Sequence, residues 1–82
     1  MQNHEAIAAR VCEGTTLKPK NLRVLGCNGD QVLVQHRRHG DHRSRSQVEL
    51  INLVTGERVA LWQGVKLSGV KKEKLQRQYL TD

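Results

Sequence analysis

Aromatic residues are almost missing from this chain: Trp62 and Tyr79 are the whole set, phenylalanine is absent, and aromatics make up 2% of 82 residues. A site that stacks several unpaired bases on aromatic rings is therefore excluded. Only two cysteines occur, Cys12 and Cys27, with no Cys-x-x-Cys spacing, which leaves neither a disulfide framework nor a four-cysteine zinc site. Both are expected to be small buried hydrophobes. No apolar run approaches the roughly 18 residues a bilayer span needs. The opening Met1-Gln2-Asn3-His4-Glu5 lacks the charged-then-apolar order of a signal peptide, so the expected compartment is the cytosol. A glycine-rich phosphate loop is missing as well, because each glycine falls at a turn or bend.

What remains, 37% hydrophobic and 27% charged residues with a single proline, suits one small domain spanning residues 1–82 with one modest core. Fourteen Lys and Arg against eight Asp and Glu give a formal charge of +6. On so small a body that charge attracts polyanions, and nucleic acid is the first partner to consider.

The organisation reads as helix, strands, helix. Over residues 3–13, Ile7, Ala8, Val11 and Cys12 make the stripe of a short amphipathic helix, with Asn3 as its N-cap and Gly14 as its stop. Thr15 to Asn21 is a connector in which Pro19 bars an interior strand. Residues 22–68 form an antiparallel meander. Leu22 to Cys27 and Gln31 to His36 flank Asn28-Gly29, a pair that tolerates positive φ in a tight hairpin. Val48 to Val54 and Arg58 to Trp62 repeat the pattern around Thr55-Gly56, and Gly64 to Ser68 is a short fifth strand. Residues 70–80 carry Leu75 and Tyr79 among lysines, the pattern of a basic helix or tail.

Apolar residues occupy both faces of these strands, as in a sheet covered on each side or bent by bulges. A small barrel of four or five strands with short terminal helices answers that pattern, an α+β domain of SH3-like or Sm-like outline. Its expected core is Val24, Leu33, Val34, Leu50, Ile51, Leu53, Val59 and Leu61, with Trp62 beside it. The short helix before a bent sheet is similar in outline to the Sm-like proteins. Val24-Leu25-Gly26-Cys27-Asn28-Gly29-Asp30-Gln31-Val32 resembles, over those nine residues, the strand-turn-strand core of the carbon storage regulators, which implies an RNA-binding role.

Charge is concentrated in two blocks. Residues 31–46 and 65–82 each carry a net +3. The first holds Arg37, Arg38, Arg43 and Arg45 with His36, His39 and His42, and reads as a hairpin projecting toward phosphate. The arginine fork donates two parallel hydrogen bonds and sheds water readily, and a two-stranded ribbon can enter a major groove. The second block holds Lys66, Lys71, Lys72, Lys74 and Arg77, and can lie near the first if the carboxy-terminal segment folds back. Lysines of this kind attract phosphate without specificity and in a salt-sensitive way.

Other chemistry is less well matched. The three histidines recur every third residue, yet four neighbouring guanidiniums disfavour a dication, so no metal or other cofactor is expected. Asp41, His42 and Ser44 name a nucleophilic triad only superficially, since they are neighbours on a loop, and no enzymatic activity is expected. Glu49 and Glu57 are expected in cross-strand salt bridges with Arg58 or Lys66. The expected function is a small accessory or regulatory protein that binds RNA or DNA phosphates. The alternative is a protein-interaction module that docks on an acidic surface of a larger enzyme and uses Trp62 or Tyr79 as its anchor. A homodimer through sheet edges is compatible with either.

Overall fold

A computed structural model of the chain describes residues 4–39 and 44–80. The elements are helix α1 (His4–Cys12), a 3-10 turn (Pro19–Asn21), strands β1 (Leu22–Asn28), β2 (Gln31–His39), β3 (Ser44–Asn52) and β4 (Arg58–Gly64), and helix α2 (Gly69–Leu80). The strands form one antiparallel sheet in the order β1-β2-β3-β4.

Local chemistry explains the boundaries. Helix α1 ends where the backbone N–H and the hydroxyl of Thr15 both donate to the Cys12 carbonyl, just past Gly14. Its expected N-cap, Asn3, lies outside the described residues. The β1–β2 loop is Gly29-Asp30, and Gly29 alone takes a positive φ, +61°, as at the first central position of a type II′ turn. Asn28 is the last residue of β1 rather than half of the turn. In the β3–β4 connection the Asn52 side chain accepts from the backbone N–H of Val54 and Thr55, so β3 stops at Asn52, short of the expected Val54.

Each helix covers one face of the sheet. Alternate residues of β2 part company: Val32 and Val34 pack with Ile7, Ala8 and Val11 of α1 and with Val24 and Ile51. Leu33 packs instead with Val48 and with Leu75 of α2, joined by the half-buried Leu25, Leu50, Leu61, Trp62, Tyr79 and Leu80. Both faces are apolar because both are covered. Bulges in the two edge strands, at Leu25 in β1 and Leu61 in β4, each turn an extra residue toward α2 and curl the edges around it. The approach is close at Gly26, where a Cβ would come within 2.4 Å of Leu80 Cδ1.

The barrel expectation is corrected by this arrangement. β1 and β4 remain unpaired edges, because Leu75, Tyr79 and Leu80 fill the concave face that closure would have used for the sheet itself. The expected fifth strand is also absent: β4 runs on to Gly64, and residues 65–68 cross to α2 without pairing. Among the expected core residues, Val24, Leu33, Val34 and Ile51 are buried, Leu50, Leu53 and Leu61 are half-buried, and Val59 on the edge strand is exposed. Val32 and Val48, not singled out as core, are fully buried. Cys12 is buried as expected, but Cys27 is exposed. No helix among the described residues is long and apolar enough to cross a membrane.

Candidate anion-binding groove

The α2 face changes character along its length. Near the β1–β2 turn it presents Leu25, Leu33 and Leu50, and toward the far end of β2 and β3 the same face presents Arg23, Gln35, Arg37 and Ser46. The register holds these four together, with Arg23 opposite Gln35 and Arg37 opposite Ser46. Helix α2 runs so that Leu80 lies at the apolar end, over Gly26. Its amino terminus stands at the polar end.

There the sheet and the β4–α2 connection enclose a groove of about 750 Å³ lined by Arg23, Gln35, Arg37 and Ser46 and by Val65, Lys66, Leu67, Gly69 and Lys72. A second hollow of about 330 Å³ shares Arg23, Gln35 and Arg37 and adds Lys20, Asn21 and Leu22. Five cations line the combined trough and no carboxylate does. None of the five makes a salt bridge or side-chain hydrogen bond among the described residues. Ser68 caps α2: its hydroxyl accepts from Lys71 N–H at 3.1 Å and its carbonyl from Lys72 N–H at 2.9 Å. The N–H groups of Gly69 and Val70 are left without an acceptor among the described residues, and the positive end of the helix dipole adds to the field there.

The two charge blocks of the sequence thus meet through three members, Arg37, Lys66 and Lys72. The others are distributed elsewhere. Lys71 does not line the groove, Lys74 is on the outer side of α2, and Arg77 there donates to Glu73 at 2.7 Å. Arg45 is exposed and, by alternation with Ser46, faces away from the groove. The backbones of Arg38 and His39 lie in β2 opposite Arg45 and Ser44; their side chains, and all of Asp41, His42 and Arg43, lie outside the described residues.

His36 is a correction. Rather than contributing to a solvent-facing hairpin, it is 3% exposed on the α1 face. Its Nε2 donates to Glu49 Oε1, and Arg58 donates to the same carboxylate through Nε at 3.1 Å and Nη2 at 3.2 Å. Glu49 thereby joins His36 and Arg58 across β2, β3 and β4, including the expected Glu49–Arg58 bridge. Burial pushes the Glu49 carboxyl up, but the hydrogen bonds and charges of Arg58 and His36 outweigh it and hold its pKa below the usual carboxylate value.

Arg23 and Lys20 were not visible as site residues, because a charged residue in a strand or connector reads as ordinary surface. The available signal lay in alternation. On β2, one face runs Leu33, Gln35, Arg37, passing from apolar to cationic, and Arg23 stands beside Gln35 on β1. Trp62 and Tyr79 sit half-buried in the α2-face core and line neither hollow. No group of three or more His, Cys, Asp or Glu that could hold a metal ion occurs among the described residues. Comparison with protein-family models, with curated proteins and with solved structures finds no match for the chain.

Proposed function

We propose that this protein binds nucleic acid through the phosphates, as a small accessory or regulatory factor, and that the trough between the sheet and the start of α2 is its binding surface. One observation carries the reading: Lys20, Arg23, Arg37, Lys66 and Lys72 line two hollows that share Arg23, Gln35 and Arg37 and contain no carboxylate. Four of the five are exposed and Lys72 is half-buried, so their field reaches a ligand at the surface, and a polyphosphate backbone supplies counter-charges at regular spacing. The two arginines add forked donors suited to phosphate oxygens.

The lining also favours nucleic acid over an acidic protein partner. Protein interfaces concentrate their energy in buried aromatic anchors, and both aromatics of this chain are committed to the α2-face core. The trough's apolar contribution is limited to Leu22, Val65 and Leu67. Without a stacking ring in the lining, recognition rests on backbone phosphates and on strand geometry rather than on splayed bases.

Titration of fluorescent RNA hairpins and DNA duplexes tests this. The wild-type protein is expected to bind with log affinity falling linearly against log salt, and Arg23→Ala/Arg37→Ala/Lys66→Ala/Lys72→Ala is expected to abolish binding while remaining folded. If no RNA or DNA binds in a salt-dependent way, and a Trp62 or Tyr79 substitution instead removes a protein partner from a nuclease-treated pull-down, the interaction-module reading replaces this one.

A further inference from the structure

Ser46 is out of place for a serine. It is 5% exposed, yet it lines the groove, and its hydroxyl has no hydrogen-bond partner among the described residues. A strand position so well covered is ordinarily apolar, as Val48, the next residue on the same face of β3, is. Three further features line the same groove. Arg37 stands opposite it in register, the groove wall brings Lys66 and Lys72, and Gly69 at the start of α2 carries a backbone N–H with no acceptor. A hydroxyl that opens on the groove from a covered strand position, a helix-terminal N–H without an acceptor among the described residues and the cations of the lining are all donors. Together they call for one small, highly charged group bearing several acceptor oxygens.

From this we infer that the floor of the groove is a phosphomonoester pocket, and that the protein recognises the phosphorylated end of a nucleic-acid strand. The inference rests on the proposed function and sharpens it by naming the part of the strand that enters. A backbone phosphodiester carries one negative charge and two free oxygens, with ester links on both sides that hold it at the mouth of a groove. A terminal phosphate carries up to two charges and three free oxygens, and it can reach down to Ser46. The shortage of aromatic rings fits such a mode, since a strand end can be held by its phosphate without base stacking.

The test compares three forms of one short oligonucleotide, with a 5′-phosphate, a 3′-phosphate or hydroxyls at both ends, in RNA and in DNA. One phosphorylated form is expected to bind roughly tenfold tighter than the hydroxyl-ended form, the scale of one or two charge-assisted hydrogen bonds. Ser46→Ala should bring that ratio close to one. Gly69→Pro should also reduce it, because proline is accepted at the first helical position and removes the N–H without changing charge; unfolding midpoints check that both variants fold. Inorganic phosphate and a mononucleoside monophosphate, as competitors, separate the sources of the group. The assigned strand end requires the phosphorylated oligonucleotide to bind more tightly than either, and competition by the mononucleotide at equal potency would overturn it. Equal affinity for all three strand forms, with salt-dependent binding retained, would overturn the terminal pocket and leave the proposed function standing. Absence of binding by every form would overturn both.

Discussion

The two faces of the sheet are made by the same strands and the same alternation, and they deal with their polar ends in opposite ways. On the α1 face the apolar cluster passes into His36, Glu49 and Arg58, where one carboxylate takes the Arg58 charge and the His36 hydrogen bond across three strands. On the α2 face the apolar cluster passes into Arg23, Arg37, Lys66 and Lys72, which have no ion-pair partner among the described residues. Compensated charge belongs to the fold, whereas charge gathered in a concavity and left uncompensated is available to a ligand. Total charge, which is what composition reports, does not make that distinction.

The contrast can be broken in several places. The largest expected effects lie where the faces are alike, in their cores. Leu33→Ala on the α2 side and Ile7→Ala on the α1 side should each cost about 2–5 kcal/mol in urea unfolding, a large share of the stability of so small a domain. Val59→Ala, on the exposed edge, should change little. A cheap Leu33→Ala would mean that α2 does not cover its face.

Next come the polar ends themselves. Glu49→Gln leaves His36 and Arg58 without their shared carboxylate and should cost about 1–3 kcal/mol, whereas Arg37→Ala in the groove should stay within about 0.5 kcal/mol of wild type. Similar losses for the two would erase the distinction between structural and available charge.

Acid sharpens the same point. The Glu49 carboxyl is held below its ordinary value of 4.5 in the folded state, so its contribution is fully present above that value. It is lost as pH falls through the lower folded-state pKa, where the folded protein must take up the proton. Unfolding midpoints followed from about pH 6 to about pH 3 should therefore fall for wild type, with part of that fall missing in Glu49→Gln.

The smallest effect concerns the thiols. Burial pushes both Cys12 and Cys27 up, with the charge of Arg58 opposing the shift at Cys12. Exposure therefore decides reactivity. An alkylating reagent should modify Cys27 in the native protein and Cys12 only on unfolding. Equal rates at the two positions would show that α1 opens readily.

Much of the fold was legible because its signals are local. Gly29 marked the first hairpin, the stripe of Ile7, Ala8, Val11 and Cys12 marked α1, and apolar residues on both faces of β2 required two covers. The choice between barrel and open sheet depended on where residues 69–80 pack. Lys71, Lys72 and Lys74 left that segment readable as either a basic helix or a tail; it is a helix, and Leu75, Tyr79 and Leu80 seat it on the sheet. For the site, the sequence indicated charge but not enclosure. Arg37, Lys66 and Lys72 were anticipated from their blocks, Arg23 was hidden by its separation along the chain, and Ser46 was hidden by having no charge. His36 was misplaced because it was read with the charged block that follows it, although it ends the expected strand Gln31 to His36 and alternation puts it on the covered face with Val32 and Val34.

Binding that depends on the groove rather than on net charge is tested most directly by matched charge removal. The slope of log affinity against log salt for one RNA or DNA probe is measured for wild type, for Arg23→Ala/Arg37→Ala/Lys72→Ala in the groove, and for Arg45→Ala/Lys74→Ala/Arg77→Ala outside it. Both variants lose three positive charges. The groove variant should lose about 2 to 3 units of slope, at roughly 0.7 to 0.9 per phosphate contact, and the outer variant less than about one. Equal losses, or a larger loss in the outer variant, would contradict the account and show that the protein attracts polyanions through its overall charge alone.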